Sequence, residues 1–170
     1  METMRLKKAA CTLLAVVGIS AASHAVASAP TGIFLWYPDQ AEPPSPEDCK
    51  ALVSRVKPSR EKAEAWLWGR VPQDSELEFY LFLTGDRMEP TFSAEGDYDS
   101  GKLRLGRTVG AETAFELIPD DHPTITIEGS ITAPTGSPVL TVLLRDVPST
   151  DSPADRVTYY CRFTDEETEA

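Results

Sequence analysis

The chain has 170 residues, 41% of them hydrophobic, with 27 acidic against 16 basic side chains and a formal net charge of −11. That length excludes a large multidomain enzyme, and the acid excess disfavours a nucleic-acid binder. The apolar share is too high for a disordered acidic chain.

Residues 1–27 carry the pattern of a secretory signal peptide. Arg5, Lys7 and Lys8 make a positive start, residues 9–22 are uncharged and mostly apolar, and Ser23-His24-Ala25 and Ala25-Val26-Ala27 fit the small-x-small cleavage rule. As a membrane anchor the run is weaker, because Ser20, Ser23 and His24 interrupt its end and a span needs about 20 mostly apolar residues. Cleavage after Ala25 or Ala27 is the expectation, with export to the periplasm or the extracellular space. Cleavage after Ala25 leaves 145 residues with a net charge of −13 and no Cys11. No later stretch reaches membrane-spanning length, so no membrane span is expected in the mature chain. Cys49 and Cys161 remain, and two thiols in an oxidising compartment most simply form one disulfide. Chain entropy assigns such a long closed loop a stabilisation of about 5 kcal/mol at most. No CxxC pair is present to support a redox role.

The expected organisation is a signal peptide at 1–27, an extended proline-rich segment at 28–46, one disulfide-stapled β-rich domain at 47–164 and an acidic, frayed tail at 165–170. All 14 prolines lie after the signal and punctuate short strand-like runs. Residues 31–37 read as a first strand, ending at Pro38. Ser45 then opens a helix: it suits the N-cap, Pro46 suits the first turn, and Glu47 and Asp48 complement the helix dipole. Cys49, Leu52, Val53 and Val56 follow at helical spacing, and Pro58 stops the run. This helix should turn Cys49 toward the sheet that holds Cys161. Residues 59–71 fit either a second short helix capped by Ser59 or a strand, and the alternation of Trp66 and Trp68 favours a strand at 64–71. Further strands are expected at 77–84, 102–108, 113–118, 124–133, 138–146 and 156–163, several with one apolar and one polar face. The predicted fold is mainly β, an antiparallel β-sandwich or barrel of seven or eight strands with one short N-terminal helix.

Catalytic equipment is sparse. The expected mature chain keeps one histidine, His122, in an Asp-Asp-His-Pro sequence that reads as a solvated turn, and no GxSxG motif accompanies it. No catalytic residue, cofactor or metal is assigned. Glu95, Asp97 and Asp99 form a weak calcium candidate, but Gly101 and Thr108 stand where an EF-hand loop needs oxygen ligands. Trp66, Trp68 and Tyr80 are the candidate binding surface: turned outward they would stack on a sugar or anchor a protein, turned inward they are core. The spacing Asp-x-x-x-Tyr-x-Cys at 155–161 matches the end of an immunoglobulin F strand, but 112 positions separate the cysteines and only nine residues follow Cys161. That leaves little room for a closing strand, so it carries no family assignment.

The function expected from the sequence is therefore an exported, non-enzymatic acidic β-domain with a protein-binding or envelope-associated role. An envelope-stress or lysozyme-inhibitor role would suit the charge, which steers a basic protein and repels nucleic acid. The alternative is a carbohydrate-binding or carbohydrate-processing domain that takes a glycan on Trp66, Trp68 and nearby carboxylates.

Overall fold

The computed structural model describes residues 30–69, 79–89, 100–148 and 152–165. Strand β1 (Gly32–Trp36) is followed by helices α1 (Pro46–Val56) and α2 (Arg60–Leu67). Then come β2 (Tyr80–Thr84), β3 (Arg87–Glu89), β4 (Gly101–Val109), β5 (Glu112–Pro119), β6 (Ile127–Thr132), β7 (Val139–Val147) and β8 (Ala154–Arg162). Each strand pairs antiparallel with the next, and β8 returns to β1, so the sheet closes into an eight-stranded barrel. Of the two architectures open to the sequence, the barrel is the one formed.

Period-two alternation sorts the side chains into two cores. Phe34, Leu81, Leu83, Leu117, Ile131, Leu140, Val142 and Tyr160 belong to a buried cluster that fills the barrel. An eight-stranded barrel is about wide enough for its own side chains to fill it. The intervening residues of β1, β2 and β8 face outward: Leu35, Tyr80 and Cys161 pack with Cys49, Leu52, Val53 and Ala63 of the helices in a second cluster. The helices thus cover one side of the barrel over β1, β2 and the C-terminal part of β8, while Val157 nearer the start of β8 stays exposed.

At one position the wall makes room for the core by being glycine. Gly129 lies opposite Phe115 in the ladder, and a Cβ built there would stand 2.5 Å from that ring. Only hydrogen at this position lets the ring lie flat against the neighbouring strand, a pairing that protects a strand glycine from solvent.

Helix α1 starts as the sequence requires. Asp48 N donates to Ser45 Oγ at 3.1 Å, and Ser45 N donates to Asp48 Oδ2 at 2.9 Å, forming a reciprocal capping box. The bonds donated to the carboxylate by the Ser45 N–H and, at 2.8 Å, by the Ser45 hydroxyl favour its ionised form, so the Asp48 carboxyl lies below its ordinary value. Lys57 closes the helix in the left-handed region, at φ 51°, and its N–H donates to Val53 O. The expected disulfide is present: Cys49 on α1 and Cys161 on β8 are bonded with their Cα atoms 5.3 Å apart.

The barrel seam between β1 and β8 continues beyond the strands through a side chain. Tyr37 N donates to Tyr159 O at 2.9 Å. The Gln40 amide then bridges the pair, accepting from Tyr159 N at 2.9 Å and donating to Tyr37 O.

Three expectations change. The strand expected at 64–71, whose last two residues lie outside the described residues, is not formed over 64–69: Arg60–Leu67 is α2, so there are two helices among the described residues where one was expected. Ser59 caps α2 by accepting from Lys62 N, and Lys62 Nζ donates back to the carbonyls of Val56 and Lys57. Those contacts with the preceding turn outweigh the strand-like spacing of the tryptophans. The place of the missing strand is taken by β3, three residues long, which pairs with β2 through the Gly85-Asp86 turn. Asp165, assigned to the frayed tail, is held: its Oδ1 accepts from Arg60 N at 3.0 Å.

Candidate binding surface at the barrel mouth

Helical geometry separates the aromatic residues that a strand would have aligned. Successive helix residues are about 100° apart, so Trp66 and Trp68 diverge by roughly 200°. Trp66 turns toward the barrel, with its ring 5.9 Å from those of Phe79 and Tyr80. Tyr80 is 1% exposed, whereas Trp68 at the helix end is 70% exposed. The three residues therefore do not share one open face. Glu95, Asp97 and Asp99 lie outside the described residues. His122 N donates to Pro119 O and its carbonyl accepts from Ile125 N, as befits a turn between β5 and β6.

A concavity absent from the sequence reading lies at the barrel end formed by the β4–β5 turn, the β6–β7 connection, the entry to β1 and the exit from β8. It is a cavity of about 580 Å³. Its floor is apolar, with Phe34, Leu140 and Val139, and its walls carry the hydroxyls of Thr108, Thr113, Thr135, Ser137 and Thr164. Thr108 Oγ1 and Thr113 Oγ1 are 2.8 Å apart and bond across the hairpin. Arg162 contributes the one charged side chain among the lining residues.

The position of Arg162 follows from the closing register. Phe34 of β1 pairs directly with Arg162 of β8, and the guanidinium carbon lies 5.1 Å from the Phe34 ring centroid. The ring is fully buried and holds one face of the guanidinium by a cation–π contact. Among the described residues no carboxylate forms an ion pair with Arg162. In a chain of net charge −11, the described lining of the mouth thus carries a single positive group and no negative one.

The opposite end is electrostatically closed. The Arg87 guanidinium donates to Asp120 Oδ1 at 3.2 Å and Oδ2 at 2.5 Å, and to Glu89 Oε1 at 2.8 Å. The bidentate bond to Arg87 holds the Asp120 carboxyl below its ordinary value. On the outer wall, Arg104 faces Glu116 at 3.7 Å and Arg145 faces Asp155 at 4.0 Å, both well exposed. Exposed pairs of this kind contribute about 0–1 kcal/mol each.

The described lining of the mouth contains hydroxyls and one arginine, with no histidine, carboxylate or thiol beside them. Among the described residues no group of three or more histidine, cysteine or carboxylate side chains could hold a metal, and no helix is long and apolar enough to cross a membrane. The mouth escaped sequence reading because it joins positions from both ends of the chain. In comparisons with known proteins, no family model, no curated protein and no solved structure matches this chain.

Proposed function

We propose that the protein is an exported, non-enzymatic binding domain, acting in the periplasm or outside the cell, that engages a protein partner at the barrel mouth. The observation that carries this reading is the contrast between the filled interior and the open end. Among the described residues, buried side chains fill the barrel interior, while the mouth is a concave, largely apolar surface with a single charge. Recognition surfaces commonly combine an apolar hollow with a few directional polar groups. The acidic remainder of the surface steers a partner with basic flanks and keeps the domain soluble. The protein reading is preferred to the glycan alternative because, among the described residues, no second aromatic ring is exposed beside Trp68 to form a stacking face.

The test is partner capture by the full-length protein from envelope and extracellular fractions, with thermal melts alongside. Thr135→Arg, which fills the mouth, should abolish capture at an unchanged melting temperature, and raised salt should weaken it. Asp121→Lys, in the β5–β6 connection at the other end, should leave capture intact. Equal capture by both variants would reject the mouth as the contact. Retention of the unprocessed chain in the cytoplasm would reject export.

A further inference from the structure

We propose that the edge of β4 from Arg104 to Val109 is a strand-pairing site for an extended acidic segment of a partner protein. This rests on the protein-binding reading above and gives the partner a second, specific point of attachment beside the mouth.

The site arises from unequal strand lengths. Strand β4 has nine residues and β3 has three. Their ladder consists of Arg87↔Lys102 and Met88↔Gly101, and it ends where Leu103 N donates to Asp86 O at 2.7 Å, at the β2–β3 turn. Beyond that bond β4 continues to Val109 paired with β5 alone among the described residues. Six residues at about 3.3 Å each make roughly 20 Å of one-sided strand. The Leu103 N–H points away from β5, so period two aims the N–H and C=O of Leu105 the same way, into the open. A closed barrel removes strand edges, and here one edge persists inside the closed topology.

The side chains say what kind of segment fits. From Gly101 to Val109 the strand carries Lys102, Arg104 and Arg107 and no acidic residue, in a chain with 27 acidic against 16 basic side chains. Arg104 is shared with Glu116, whereas among the described residues no ion pair engages Lys102 or Arg107. Leu105 is 36% exposed and Val109 64% exposed, so apolar contacts are available to an added strand. A second copy of β4 would set arginines against arginines, which disfavours self-pairing. An acidic strand instead gains main-chain hydrogen bonds from the edge and cross-strand attraction from the bases. The irregularity between Leu105 and Thr108, where β4 carries one extra residue relative to β5, interrupts a long flat template and limits indiscriminate pairing. Thr108 belongs to both the edge and the mouth, so one partner can occupy the two together.

The experiment uses an acetylated decapeptide alternating glutamate with valine and threonine, and a control with lysine in place of glutamate. Amide resonances and hydrogen exchange are followed in the oxidised full-length protein. The acidic peptide should shift the amides of residues 103–109 and slow exchange at Leu105, and the lysine peptide should do neither. Leu105→Pro removes an edge donor that the β4–β5 ladder does not use, and should weaken peptide binding at least tenfold. Arg107→Glu, as an independent variant, should invert the preference between the two peptides. Unshifted β4 amides, shifts confined to the Arg162 mouth, or a dimer formed through β4 without peptide would each overturn the proposal. If Leu105→Pro still captures the natural partner while Thr135→Arg does not, the edge is refuted and the protein-binding reading stands.

Discussion

Asp165, three residues beyond the last strand, caps a helix that begins 105 positions earlier in the chain: its carboxylate accepts from the backbone N–H of Arg60. Together with Ser59 Oγ, which takes the Lys62 N–H, it satisfies two of the N-terminal donors of α2. Phe163, between β8 and this cap, lies with its ring 6.1 Å from that of Tyr80. The exit of β8 is therefore a clamp that fixes α2 against the barrel.

Asp165→Ala should lower stability by about 1 kcal/mol, the usual consequence of losing a helix-start acceptor. Asp165→Asn, which keeps an acceptor oxygen, should lose less. Thermal melts of the two variants and the parent measure this, and a parent-like melt for Asp165→Ala would show that the clamp does not hold in solution.

Stability should respond to acid through Asp120. Its carboxyl is depressed chiefly by the hydrogen bonds from Arg87. A group whose folded value is lowered contributes stability that is fully present above its unfolded value and lost as pH falls through the folded one. The melting temperature of the parent should therefore exceed that of Asp120→Asn near neutral pH, and the gap should close below the ordinary carboxylate range. Because the pair is partly exposed, added salt should narrow the gap at neutral pH as well. A gap that widens on acidification would contradict this assignment.

Gly129→Ala should be costly despite its small size. The new methyl would meet the Phe115 ring and the Leu143 carbonyl oxygen, each at 2.5 Å. Relief requires moving a packed ring or the β7 backbone, which costs about 1–3 kcal/mol. Gly136→Ala meets no atom within 4 Å but stands at φ +75°, so its penalty is backbone strain alone. Urea titration of both variants separates the two effects, and only Gly129→Ala should also change the near-ultraviolet signal of the core.

Much of the barrel was legible because local pattern and tertiary demand agree. Leu103, Phe115 and Leu117, and Leu140 and Val142, alternate as a wall with one buried face must, and the observed bounds of β4, β5 and β7 lie within one or two residues of expectation. The helix at Ser45 was legible for the same reason, since its cap, first-turn proline and apolar stripe are all local. Residues 60–67 were ambiguous because the tryptophans alternate as in a strand while the Ser59 cap signals a helix, and a further contact, from Asp165, comes from the far end of the chain. Strand β3 was invisible, since Arg-Met-Glu is too short to show a period. Neither Phe34 nor Arg162 announces a site in the sequence; they become one only when the first and last strands meet.

The disulfide has a bearing on how the fold is completed. Cys161 lies in the last strand, opposite Leu35 of the first, and its partner Cys49 sits on the helix laid over that seam. Among the described residues, six strands, β2 to β7, lie along the chain between Cys49 and the strand that carries its partner. The pairing that brings the two sulfurs together is the same pairing that closes the barrel. Oxidation of the two thiols to this bond therefore fixes the closed seam, and a chain cut short before Cys161 would lose both the seam pairing and the bond that holds it.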